Sequence, residues 1–116
     1  MKSFDKRKAF GQHFLSDPKI IGGIVEESMT ALSRHADHSL LEIGPGKGAI
    51  TRPLLDKLPI EKKFFVAERD RVLIDFWKPE SRITQLLEGD FLDQTAETLN
   101  KLGNLVVVSN LPYSAG

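Results

Sequence analysis

The chain has no cysteine. Disulfides, thiolate metal sites and cysteine nucleophiles are therefore excluded, and a reducing, cytoplasmic setting fits. It has no apolar run long enough to span a bilayer, so no membrane association is expected. Its basic start, Met1 to Lys8, lacks the apolar core of a secretory signal. It has no net charge, 16 Lys and Arg balancing 16 Asp and Glu, so the whole molecule is not a polycation. No repeat, low-complexity tract or linker divides it, which excludes solenoids and beads of small modules. What is present is ordinary: 116 residues, 41% hydrophobic and 28% charged, enough for one globular domain or part of one.

Charge is uneven in one place. Residues 1–13 hold Lys2, Lys6, Arg7 and Lys8 against Asp5 alone. This is either a solvated tail or a basic arm that meets phosphates.

From residue 17 the pattern alternates helix and strand. Asp17-Pro18 is a start signal, the acid as N-cap and the proline at the first helical position. Ile21, Ile24, Val25, Met29 and Leu32 then recur at helical spacing. Residues 39–43 form a short strand that runs into a glycine turn. A helix is expected over 49–58, with Pro53 tolerated only in its first turn. Strands follow at 63–68, 83–88 and 105–109, separated by helices at 71–77, capped by Asp70, and at 95–102. Leu105 to Val108 reads as a buried strand. Strands alternating with helices at this spacing predict βαβ units and a parallel sheet. Such sheets bind ligands outside the carboxyl ends of their strands. Gly44, Glu68, Asp90 and Asn110 all fall there.

Gly44-x-Gly46-x-Gly48 lets the backbone turn tightly and approach a ligand. The third glycine comes one place early for a dinucleotide fingerprint, and Lys47 is followed by Gly48 rather than the Ser or Thr of a Walker loop. A strand acid, Glu42, two places before this triplet matches S-adenosylmethionine-dependent methyltransferases instead. Glu68, 20 residues after Gly48, is either an acceptor for the two hydroxyls of a ribose or a solvated strand-end charge. Asp90 is either an acceptor for an adenine amino group or a turn cap. Nothing in the pattern asks for a metal.

Asn110-Leu111-Pro112-Tyr113 follows the last strand. An adenine N6 amine is a poor nucleophile because its lone pair is delocalised into the ring. The Asn110 side-chain oxygen and the Leu111 or Pro112 carbonyl can accept its two hydrogens and draw the nitrogen towards tetrahedral geometry. Tyr113 can stack on the base and fix its plane. A plain turn is the competing reading.

With these residues in view, the chain resembles the ribosomal RNA adenine dimethyltransferases of the KsgA family. The resemblance rests on Lys8-Ala9-Phe10-Gly11-Gln12-His13-Phe14-Leu15, Glu42-Ile43-Gly44-Pro45-Gly46-Lys47-Gly48, Gly89-Asp90 and Asn110-Leu111-Pro112-Tyr113. It implies a Rossmann-like class I α/β methyltransferase with a parallel sheet, S-adenosyl-L-methionine as cofactor, and dimethylation of N6 of two adjacent adenosines in small-subunit rRNA. His13 and Leu15 would meet the methionine end of the cofactor, Gly44 and Gly46 cradle it, Glu68 take its ribose, Asp90 its adenine, and Asn110 its reactive end. The family usually has Asn where this chain has His13, and often Gly where it has Ser109. The erythromycin-resistance type, acting on the large subunit, and a non-catalytic RNA-binding relative are the alternatives.

The resemblance also implies a seven-stranded sheet and a helical C-terminal domain. On that reading residues 1–16 are the basic arm and Gly-Gln box, residues 17–116 are the first βα units, and the helical domain is absent. Strand four would then leave an open edge, so the fragment is expected to be marginally stable or to pair that edge with another copy. It is expected to bind cofactor without methylating RNA.

Overall fold

The computed structural model describes residues 17–109. The expectations for His13, Leu15 and the basic arm, and for Asn110, Leu111, Pro112 and Tyr113, fall outside the described residues.

Helix α1 spans Pro18–Arg34. Asp17 caps it by accepting from the Lys19 N–H at 2.9 Å, as the Asp-Pro signal predicts. Val25 and Leu32 are buried, and Ile21, Ile24 and Met29 pack against the same core. Strand β1 spans Ser39–Ile43 and α2 spans Thr51–Lys57. The helix is shorter than expected because Pro53 has no N–H to donate and must sit in the first turn, where it is. Strand β2 spans Phe64–Glu68 and α3 spans Arg71–Trp77, capped by Asp70. Strand β3 spans only Gln85–Glu88, a 3₁₀ turn covers Phe91–Asp93, α4 spans Ala96–Lys101 and β4 spans Leu105–Ser109.

The sheet is parallel throughout, in the order β3-β2-β1-β4. Its core lies on both faces. Leu40, Phe64, Val66 and Val108 pack with Val25, Leu32, Ile50, Leu54 and Leu58 on the face covered by α1 and α2. Leu41, Ile43, Phe65, Ala67 and Leu87 pack with Leu102 of the α4 side on the other. Strand β1 alternates Leu40 and Leu41 between the faces, and both are fully buried, as a central parallel strand requires.

The buried-strand reading of Leu105 to Val108 fails on one face, while the open edge expected at strand four is present: β4 is an edge of the described sheet. Val107 is 51% exposed, while Val108 is buried against the core.

The chain winds from β1 through β2 to β3 in one direction, then crosses β2 and β1 to reach β4. The connection reverses between β1 and β4. That switch point opens a crevice at the carboxyl ends of the strands. This doubly wound, Rossmann-like α/β arrangement is the fold class expected.

Candidate functional site

Three of the four sequence-predicted segments meet at this rim. Gly44 follows β1, Glu68 ends β2, and Asp90 follows β3. The fourth segment is described as far as Ser109, which pairs in register with Ile43. Neighbouring strands lie about 4.8 Å apart, so β4 delivers the chain to the same rim, beside the start of the glycine turn.

The turn is tied at both ends. The Gly44 N–H donates to the Ala67 carbonyl at 2.8 Å, and the Gly48 N–H to the Pro45 carbonyl at 3.0 Å. Gly44, Gly46 and Gly48 all have positive φ, 70°, 57° and 104°, a region that side chains with a Cβ rarely occupy. Gly46 also faces open space: a Cβ placed there would meet nothing within 4 Å. The Gly46 and Lys47 N–H groups make no hydrogen bond among the described residues. Successive free N–H groups in such a turn form a nest for an anionic group.

Glu68 is buried at the end of β2. Its Oε2 accepts from the Arg69 and Asp70 N–H groups, each at 3.0 Å. Those two bonds orient the carboxylate, and Oε1 has no partner among the described residues. A fixed acid with one oxygen unengaged is what a diol acceptor needs.

Asp90 performs the capping role that the sequence left open. Its Oδ1 accepts from the Leu92 N–H at 3.0 Å, and its Oδ2 lies 3.6 Å from Arg69 Nη1 in an exposed ion pair. Leu92 stands 87% exposed beside it.

Two features of the site escaped the sequence reading. The first is the environment of Glu42, which is fully buried on β1. Thr51 Oγ1 donates to its Oε1, and Oε2 has no hydrogen-bond partner among the described residues. Burial pushes this carboxyl up to about 7; the Thr51 hydroxyl opposes the shift and the Glu68 charge adds to it. The position of Glu42 before the triplet was visible, but the hydroxyl nine residues on was not an evident partner. The second is Trp77, whose indole N–H donates to the Gly46 carbonyl at 2.8 Å. No local signal links a helix-end tryptophan to a turn 31 residues earlier. No group of three or more metal-ligating side chains assembles among the described residues, and none of their helices is long and apolar enough to cross a membrane.

Comparison with known proteins gives the family. The sequence pattern of the family described as "Ribosomal RNA adenine dimethylase" matches residues 3–116. The "Ribosomal RNA small subunit methyltransferase A" of Chlorobium luteolum is 43% identical over 108 residues, which cover 93% of this chain and 37% of that protein. The protein of the same name from Cupriavidus taiwanensis is 43% identical over 110 residues, covering 93% and 37%. That from Alcanivorax borkumensis is 39% identical over 117 residues, covering 98% and 39%. The chain thus spans well under half the length of these curated relatives. A glycine turn, a strand-end acid and a fourth strand meeting at one rim, matched by a family pattern over nearly the whole sequence, assign this chain to the ribosomal RNA adenine dimethylase family.

Proposed function

We propose that this chain binds S-adenosyl-L-methionine over the glycine turn, as the cofactor-holding part of an enzyme that dimethylates N6 of two adjacent adenosines in small-subunit rRNA. The observation that carries the proposal is the rim between β1 and β2. Gly46 offers open backbone, and its N–H and that of Lys47 have no partner among the described residues; the oriented carboxylate of Glu68 stands across the neighbouring strand end. These residues fit a zwitterionic, ribose-bearing cofactor. The N–H nest takes a carboxylate, and Glu68 takes a pair of hydroxyls. Asp90 Oδ2, held only by the exposed 3.6 Å ion pair with Arg69, can take an adenine amino group while Oδ1 caps the turn. His13 and Leu15 complete the methionine end.

When bound, the cofactor supplies a methyl group on a sulfonium. The residues of the chain do the rest. The Asn110 oxygen and the Leu111 or Pro112 carbonyl accept the two amine hydrogens of the target base and turn its lone pair outwards. Tyr113 stacks on the ring and holds its plane. No strong general base is needed, because the amine becomes acidic as its new bond to carbon forms.

The names of these relatives specify the small subunit, which favours this target over the large-subunit resistance type. The proposed site of action is the cytoplasm. The 116 residues correspond to under two fifths of each relative, and on this proposal the chain binds cofactor without methylating RNA by itself.

Calorimetry with S-adenosylmethionine tests the cofactor reading. Binding by the chain, weakened at least tenfold in Glu68→Ala, is expected. No binding at millimolar cofactor, or equal binding by the variant, overturns it. Transfer of labelled methyl groups to small ribosomal subunits by the 116-residue chain alone would overturn the division of labour.

A further inference from the structure

Trp77 is the only tryptophan of the chain, and it is 1% exposed although it ends a helix of seven residues. Packing alone does not account for where its atoms go. The indole Nε1 donates to the Gly46 carbonyl at 2.8 Å. The six-membered ring lies against Gly48: a Cβ built there would stand 2.9 Å from Trp77 Cη2 and 3.0 Å from Cζ2. On the ring sits the Arg52 guanidinium, 4.7 Å from the ring centroid. Arg52 is held there by Glu80, Nη1 to Oε1 at 2.8 Å. Phe76 meets the indole edge-on at 5.1 Å.

The consequence is directional. A trans peptide unit is planar, with its carbonyl and its N–H pointing opposite ways. Holding the Gly46 carbonyl on the indole therefore turns the Lys47 N–H away from the indole. That N–H is one of the two donors of the turn without a partner among the described residues. Glycine at 46 and 48 gives the turn the freedom to adopt its shape and also the freedom to leave it. Something outside the turn must select one conformation.

We infer that Trp77 is a positioning residue that locks the glycine turn in its ligand-ready form, by hydrogen bonding to Gly46 and packing against Gly48, with Arg52 and Glu80 clamping the indole. As far as ligand affinity is concerned, the inference rests on the cofactor reading above. The lock itself is a property of the free chain. Glycine at 48 is then required twice, for its backbone angle and for the indole.

The test compares the wild-type chain, Trp77→Phe, and Leu32→Ala, a core lesion in α1 packed in the cluster that α1 and α2 cover. Two quantities are read at a temperature where all are folded: amide exchange at Gly48 without ligand, and affinity for S-adenosylmethionine by calorimetry. Trp77→Phe keeps an aromatic ring and loses the N–H donor. It is expected to speed exchange at Gly48 and to weaken cofactor binding about fivefold, the worth of one neutral hydrogen bond. Leu32→Ala, though destabilised, is expected to leave both nearly unchanged. Equal Gly48 exchange and equal affinity in Trp77→Phe and wild type would overturn the inference, as would equal losses in Leu32→Ala. Faster Gly48 exchange in Trp77→Phe with no cofactor binding by any of the three would sink the cofactor reading and leave the lock standing. Should Trp77→Phe not fold, the wild-type indole N–H resonance decides. Slow exchange in the free chain is expected, and exchange as fast as that of an exposed indole overturns the lock.

Discussion

The two ends of the rim are built differently. At the β1 end, the glycine turn and the acid before it are held by residues of other elements: Gly44 by Ala67, the Gly46 carbonyl by Trp77, and the preceding Glu42 by Thr51. At the β3 end, Asp90 is held by its own neighbour Leu92 and by an exposed ion pair with Arg69. Leu92 projects into solvent. The first end is over-determined and the second is local. The contrast predicts that substitutions at the β1 end act on folding and binding together, whereas those at the β3 end act on binding alone.

The strongest way to break that contrast is at the glycines. Gly48 and Gly103 both have positive φ, 104° and 80°. A Cβ at Gly103 meets nothing, whereas one at Gly48 collides with the indole. Gly103→Ala is expected to cost about 1–2 kcal/mol, the backbone strain alone. Gly48→Ala adds overpacking and is expected to cost about 4 kcal/mol and to abolish cofactor binding. Urea denaturation of the two variants measures the difference. Equal costs would mean that the indole is free to move aside and that the β1 end is less constrained than its contacts indicate.

How much of this was readable from the sequence depends on the range of the interaction. The N-caps Asp17 and Asp70 were readable because a cap acts within one helical turn. The apolar stripe of α1 was readable because its spacing is that of the helix itself. The parallel sheet followed from the alternation of elements, and with it the rim on which Gly44, Glu68 and Asp90 sit. The edge position of β4 was not readable from its apolar run, which looks the same in a covered strand and in an edge strand; only the strand order implied by the family resemblance pointed to it. Val107 and Val108 both pair with β1 and differ only in the face they occupy, Val108 lying against the core under α1 and α2. The Glu42–Thr51 pair and the Trp77–Gly46 bond were invisible for the same reason: each joins residues that only the completed sheet brings together.

Glu42 supplies the next largest effect. An unfolded glutamate titrates near 4.5, and burial moves this one to about 7. The folded chain therefore binds this proton more tightly than the unfolded chain. The cost of ionising it is absent below about pH 4.5, grows as pH rises, and is complete above about pH 7. A shift of this size corresponds to about 3 kcal/mol. Glu42→Gln removes the ionisation. The variant is expected to match the wild type at pH 4, to exceed it in stability at pH 8, and to lose the slope between them. Thermal melts across that range would contradict the assignment if both proteins showed the same pH dependence.

The smallest expected change in stability carries the sharpest statement about the other end. Asn can cap as Asp does, because its side-chain oxygen accepts the same N–H. In Asp90→Asn the bond to Leu92 is kept, and the exposed ion pair with Arg69, weak at 3.6 Å, contributes little. Stability should therefore change by less than about 0.5 kcal/mol. What the substitution does replace is the second acceptor: an amide NH₂ stands where a carboxylate oxygen was, and it would meet an adenine amino group donor to donor. Cofactor affinity should fall about tenfold, the loss expected when a hydrogen bond to a charged group becomes a repulsion. A loss of affinity without a loss of stability would assign Asp90 to the ligand as well as to the turn. Unchanged affinity would reduce it to a cap, and would leave the β3 end without a group for the base of the cofactor.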